Sequence, residues 1–165
     1  MKKESTWLDC AVEIGCSLCI GYFISRVCRV AIARGESMRP TIKNNQPILL
    51  DCRASRRKKI ERLDLVAFRA HQKNQMKFFL KRVIALPGDH LVIESGQVFV
   101  NGHLLREAYL KEPMRNHQKI DLIIEDGKLF VMGDNRNNSL DSRSSRLGVI
   151  DIKKDVVGVV VQFRR

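Results

Sequence analysis

Beyond Cys52 the chain contains no cysteine, although more than a hundred residues follow. The five it has, Cys10, Cys16, Cys19, Cys28 and Cys52, are odd in number and crowd toward the N-terminus, which excludes a disulfide framework for the body of the fold. Cys16 and Cys19 form a C-x-x-C, but no strand-turn-helix pattern surrounds them, so they read as small apolar residues of a helix. A clean hydrophobic run is missing too. "WLDCAVEIGCSLCIGYFISRVCRVAIA" from Trp7 to Ala33 is interrupted by Asp9, Glu13, Arg26 and Arg29. A span of about 20 helical residues suffices to cross a bilayer, and arginines near its ends can reach the head groups, so Leu8 to Val30 is expected to form one membrane anchor. Acids enter "MKKESTWLD" where the apolar core of a cleaved secretory signal should begin, so the segment is expected to be retained.

Acidic residues are scarce: 18 Asp and Glu face 30 Lys and Arg, for a formal net charge of +12. That balance points to an anionic neighbour, a lipid surface or a nucleic acid. The densest basic run, "RASRRKKIER" at 53–62, has no aromatic residue to stack on a base and reads as a solvated loop, or next as a contact with membrane lipids. No nucleic-acid partner is expected. The four histidines, His71, His90, His103 and His117, lie in polar or turn-like contexts without a carboxylate in a triad pattern.

What the chain has instead is short β-type runs: 47–52, 63–69, 77–86, 90–95, 97–101, two strands around Asp126-Gly127 in 120–134, and a buried closing strand at 156–163. Their spacing, without helical periodicity between them, predicts a mainly β domain, an antiparallel barrel or sandwich over 34–165, preceded by the anchor in 1–33.

Three stretches stand out from the strands. "GESMRPTI" holds Ser37 between Gly35 and Pro40; Gly, Ser and Pro mark turns for backbone reasons alone, so Ser37 is a turn residue or a nucleophile, and a hydroxyl needs a base to become one. In "MKFFLKRVIALPGD", strand alternation puts Phe79, Lys81 and Val83 on one face and Leu80, Arg82 and Ile84 on the other. Lys81 is thus the lysine best placed for desolvation, which would lower its pKa and let it act as a base, and Arg82 requires a carboxylate. "GDNRNNSLDSR" fails as a calcium loop, since Ser139 and Ser145 fall where glycine and glutamate are needed. Its Asp134 and Asp141, supplied beside Arg136 and Arg143, could neutralise Arg82, and the loop could hold a hydroxyl such as Ser139 against an amine.

Together, in this order and behind an apolar segment, these stretches resemble the type I signal peptidases. "LDLVAF" at 63–68 resembles that family's G-D-[IV]-V-x-[FV] box, with Leu63 where the glycine stands. The resemblance implies that Ser37 is the nucleophile and Lys81 the general base of a serine/lysine dyad, with Ser139 orienting the amine. It also implies structural ion pairs Arg82 with Asp134 and Asp141 with Arg143, a turn built on Gly35, and Met38 and Pro40 walling the nucleophile. The Ser37 N–H would be one oxyanion donor; Gly35 stands where some members carry a second, hydroxyl donor. No cofactor or metal is implied. The implied activity is removal of signal peptides from exported preproteins cut after small residues, by an enzyme of the cell membrane with its N-terminus inside and its catalytic domain outside. Two alternatives are a LexA-type self-cleaving regulator, against which the absence of an Ala-Gly or Cys-Gly dipeptide speaks, and a non-catalytic, membrane-anchored chain-binding domain.

Overall fold

The computed structural model describes residues 7–53, 60–72, 75–115 and 118–161; Lys2, Lys3, the basic stretch 54–59, His117 and the last residues of the 156–163 run lie outside them. A helix, α1 (Trp7–Val27), leads into β1 (Cys28–Ala33), followed by β2 (Gln46–Asp51), β3 (Leu65–Gln72), β4 (Gln75–Ala85), β5 (His90–Glu94), β6 (Gln97–Val100), β7 (His103–Leu104), β8 (Ile120–Ile123), β9 (Lys128–Met132), β10 (Ile150–Asp151) and β11 (Val156–Val160). The strands form two antiparallel sheets, one in the order β1-β2-β11-β3-β4-β9-β10 and a smaller one in the order β7-β6-β5-β8. The mainly β, antiparallel expectation holds.

The expected helix does not reach Val30. It stops at Val27, and Cys28, Arg29 and Val30 pair with Asp51, Leu50 and Leu49 of β2, so the sheet begins within the segment read as anchor. Among the described residues, no helix is long and apolar enough to cross a membrane. The physical reason is visible in the sequence: charged residues dilute α1, and the β-branched residues after Arg29 gain more from strand pairing than from another helical turn. Trp7, Val12, Ile14, Leu18 and Tyr22 of α1 are all exposed.

A second correction concerns Asp126-Gly127. The dipeptide does turn, with Gly127 at a φ of 72°, but β8 pairs with β5 while β9 pairs with β4 and β10. It is a crossing between sheets, not a hairpin. Ile124 is the pivot: its N–H donates to Asp89, its carbonyl accepts from Gly88, and its side chain is buried between the sheets. Likewise β11 is an interior strand between β2 and β3, where Gly158 allows the backbone of Asp51 to come close: a Cβ there would lie 3.0 Å from the Asp51 carbonyl oxygen.

The alternation read along β4 is kept. Phe79 and Val83 pack with Val66 and Phe68, Leu80 packs with Met38 and Leu65, and Ile84 enters the core between the sheets. β3 and β4 are held in register by direct partners Phe68 and Phe79, whose rings stack 5.6 Å apart. On its other side β4 meets β9 only from Arg82 onward, so among the described residues the edge from Gln75 to Leu80 has no strand neighbour.

Candidate active site

The turn that carries Ser37 is fixed from both ends. Gly35 adopts a φ of 97° that a side chain would resist, and its N–H donates to Asn44 Oδ1 at 2.8 Å. Met38 and Ile42, both buried, anchor the far side in an apolar cluster with Ile48, Leu50 and Leu65, and the Ile42 N–H closes the turn on the Met38 carbonyl. The Ser37 carbonyl accepts from the Asn135 N–H at 2.9 Å, and Asn135 Nδ2 donates to Glu36 O at 3.2 Å. The Ser37 turn is thereby stitched to the "GDN" loop nearly a hundred residues away.

Lys81 is 3% exposed. Its Nζ stands 2.7 Å from Ser37 Oγ, 3.1 Å from the Leu80 carbonyl and 5.9 Å from the centre of the Phe79 ring. Burial is the main influence on the amine and lowers its pKa from 10.5 to about 8, against the raising effects of Asp141 and Asp134 and with a smaller lowering by Arg143. An amine with that value is partly neutral near physiological pH and is a competent acceptor of a serine proton.

Arg82, one residue on, is 5% exposed and fully paired. Its Nε and one terminal nitrogen donate to both carboxylate oxygens of Asp134 at 2.8 and 2.6 Å, and another reaches the Leu63 carbonyl at 2.9 Å. Thr41 joins this pair, its hydroxyl donating to Asp134 and accepting from Arg82 at 3.3 Å. Arg143 holds Asp141 with two bonds of 2.8 Å, and Asp141 also accepts the Gly133 N–H at 3.0 Å. Burial would raise the Asp141 pKa, but Arg143 and these hydrogen bonds outweigh it and the carboxyl lies below its ordinary range. Both ion pairs expected from the sequence are present.

Ser139 is placed differently from expectation. Its Oγ is buried and forms no bond to the Lys81 amine; it makes no hydrogen bond of ordinary geometry among the described residues, yet lies near enough to Asp141 to help lower that carboxyl's pKa. Gly133 explains its position: a Cβ there would lie 2.2 Å from Ser139 Oγ and 2.6 Å from the Ser37 carbonyl, so glycine alone lets the Ser37 turn and the Ser139 loop close on each other. A cavity of about 360 Å³ opens over the dyad, lined by Gly35, Ser37, Met38, Phe78, Lys81 and Asn138 among others. Met38 is therefore in the wall as expected; Pro40 is exposed and does not line it.

The histidines stay away: His71 and His103 are exposed, His90 pairs at the surface with Asp121 at 2.7 Å, and none of the three lines the cavity. Among the described residues no cluster of His, Cys, Asp and Glu could hold a metal ion. Sequence reasoning missed three contributors. Thr41 lay inside the quoted turn without a role, whereas Glu107 and Tyr109 belong to no box: Glu107 pairs with Arg136, and the Tyr109 ring lies 3.9 Å from the Arg82 guanidinium carbon. The one available signal was Arg136 itself, an arginine left over in a loop whose two aspartates pair with Arg82 and Arg143.

With that geometry in place, similarity to known proteins can be set beside it. The family described as "Signal peptidase, peptidase S26" matches residues 7–163. "Signal peptidase I P" of Bacillus subtilis subsp. natto is 37% identical over 137 residues, covering 78% of this chain and 72% of the relative. "Probable signal peptidase I-2" of Synechocystis is 32% identical over 148 residues, covering 84% of this chain and 66% of the relative. The crystal structure of a signal peptidase I from Enterococcus faecalis superposes with a TM-score of 0.51 at 28% identity, over 62% of this chain and 97% of that one. The chain accordingly belongs to the type I signal peptidases, the S26 family of peptidases that remove signal peptides.

Proposed function

We propose that this chain cuts signal peptides from exported preproteins with Ser37 as nucleophile and Lys81 as general base. The observation that carries the reading is the contact of 2.7 Å between Ser37 Oγ and an amine that is buried and shifted down to about 8. Neutral Lys81 takes the Ser37 proton as Oγ attacks the peptide carbonyl; the resulting ammonium gives that proton to the leaving amine, and the neutral amine then activates water to hydrolyse the acyl-enzyme. The Ser37 N–H is assigned to the oxyanion. The buried hydroxyl of Ser139 is assigned to orienting the amine. Arg82 with Asp134 and Arg143 with Asp141 brace the strand and loop that carry these groups.

The unpaired edge of β4 from Gln75 to Leu80 runs directly into Lys81. An extended preprotein segment added to that edge would present alternate side chains to the cavity beside Phe78 and Met38. The exposed apolar side chains of α1 are assigned to lipid, with the β domain on the extracytoplasmic side where preproteins emerge. Protease added to intact spheroplasts should then digest the β domain.

The decisive experiment is cleavage of a model preprotein by the wild-type chain beside Ser37→Ala. Cleavage by wild type alone supports the proposal. Equal cleavage by both removes Ser37 from the mechanism.

A further inference from the structure

The segment between β7 and β8 leaves the small sheet, crosses to the catalytic loops and returns. Met114 seats it in the core between the sheets, and ahead of that residue it grips two arginines. Glu107 accepts from Arg136 through both carboxylate oxygens, one bond measuring 2.8 Å, with the Arg136 side chain 1% and the Glu107 side chain 10% exposed. Two residues on, Tyr109 lays its ring against Arg82, donates its hydroxyl to Glu107 at 2.7 Å and accepts from Arg136 at 3.3 Å. Burial and the Glu107 carboxylate push the phenol above its ordinary range, so it stays a donor.

The two arginines are not equivalent to other surface cations. Arg82 is the strand neighbour of Lys81 and holds Asp134; Arg136 donates to the Gly133 carbonyl at 3.2 Å and accepts Arg143 on its own carbonyl at 2.7 Å, three residues before Ser139. The strand that presents Lys81 and the loop that presents Ser139 and Asp141 thus meet on one Glu-x-Tyr unit of the connection between β7 and β8. An aromatic face over a guanidinium whose edges are already bonded leaves Arg82 no alternative position, and a second bidentate fork does the same for Arg136.

We infer that Glu107 and Tyr109 are positioning residues for signal-peptide cleavage: by clamping Arg82 and Arg136 together they set the separation of the Lys81 amine from Ser37 and Ser139. The inference rests on the Ser37/Lys81 reading. Glu107 and Tyr109 touch no reacting atom, and their effect is expected in turnover rather than in substrate binding.

The test measures kcat and KM of the full-length chain on a model preprotein, for Tyr109→Phe, Tyr109→Leu and Glu107→Gln, each below its own melting temperature, with Ser37→Ala alongside. Tyr109→Leu removes the ring and should lower kcat about 10- to 100-fold at nearly constant KM, the scale of a misplaced catalytic group. Tyr109→Phe keeps the ring on Arg82 and should recover most of that loss. Glu107→Gln keeps shape but not charge, and should lower kcat by a smaller factor. Wild-type kcat per folded molecule in Tyr109→Leu and Glu107→Gln overturns the inference, and so does a change confined to KM. Should Tyr109→Leu fail to fold, Glu107→Gln decides alone by the same criterion. Cleavage by Ser37→Ala would instead strike the dyad reading beneath the inference, so the two failures are told apart.

Discussion

Lys81 and Arg82 are consecutive residues of one strand, 3% and 5% exposed, and the fold treats them in opposite ways. Arg82 receives a carboxylate matched to its fork, a backbone carbonyl, a threonine hydroxyl and an aromatic face. Lys81 receives one serine hydroxyl, one carbonyl and a phenyl ring. The guanidinium cannot lose its proton in a protein, so its burial is tolerable only with a full set of partners. The amine can, and the incomplete set around it makes the neutral form accessible. One face of β4 holds a cation fixed by partners on every side and the other an amine that burial keeps close to neutrality, and a period of two separates them.

Exchanging the chemistry of the first residue should break the contrast most severely. Lys81→Arg retains charge and approximate length but cannot accept the Ser37 proton, and preprotein cleavage should fall by on the order of 10⁴-fold or more, the scale of losing a catalytic base. A folded Lys81→Arg enzyme that cuts near the wild-type rate would end the dyad reading and return the histidines to consideration.

The next largest effect belongs to the brace. Asp134→Ala strips the carboxylate from a buried Arg82, and stability should drop by about 3–5 kcal/mol, read as a lowered melting temperature. Unaltered melting with lost turnover would mean that Asp134 acts on the reaction and not on the fold.

A gentler perturbation is pH. Lys81 must be neutral to act, and its value of about 8 lies below 10.5, so kcat/KM should rise as pH increases through about 8 and fall about tenfold per pH unit on the acid side. The same shift acts on stability. The unfolded chain binds this proton more tightly, so the cost of burying Lys81 is fully present below about pH 8 and is relieved as pH climbs toward 10.5. A cleavage profile flat from pH 6 to 10 would contradict the assignment of Lys81 as the group that titrates.

The smallest effect tests the margin of the brace. Leu63 holds Arg82 through its carbonyl while sitting at a φ of 72°, a left-handed conformation, at the position where the family box has glycine. Relief of that strain is partly offset by glycine's freedom in the unfolded chain and by the lost leucine side chain, so Leu63→Gly should stabilise by only about 0.5 kcal/mol. A melting temperature lowered by this substitution would show that the leucine side chain contributes more than its backbone costs.

Much of this could be read from residue order. The face assignment along β4 needed only alternation, and alternation with charge showed that Arg82 requires a carboxylate, while the specific pairs, Arg82 with Asp134 and Arg143 with Asp141, came from the resemblance to the signal peptidases. The helix end was not legible, because the pairing of Cys28 to Ala33 with β2 depends on a strand that begins thirteen residues after Ala33. Nor was the fate of Asp126-Gly127: a turn dipeptide specifies local φ and ψ, but whether its flanks pair with each other or with different sheets depends on Ile124 finding a pocket between those sheets.

The sequence by itself determined the candidates: a hydroxyl in a tight turn, an amine on an apolar strand face, the arginines and aspartates that could pair, and the two-residue period that sends the amine and the guanidinium to opposite faces. Those are properties of residue type and of local backbone geometry, and both are present in an isolated strand. Only the tertiary structure decided that Lys81 is dry enough to sit near 8, that Gly133 brings Ser139 and Ser37 together, and that Glu107 and Tyr109 reach across to both arginines. Each of these requires atoms far apart in the chain to exclude water from one another, and burial of that kind arises from packing, which no local pattern encodes.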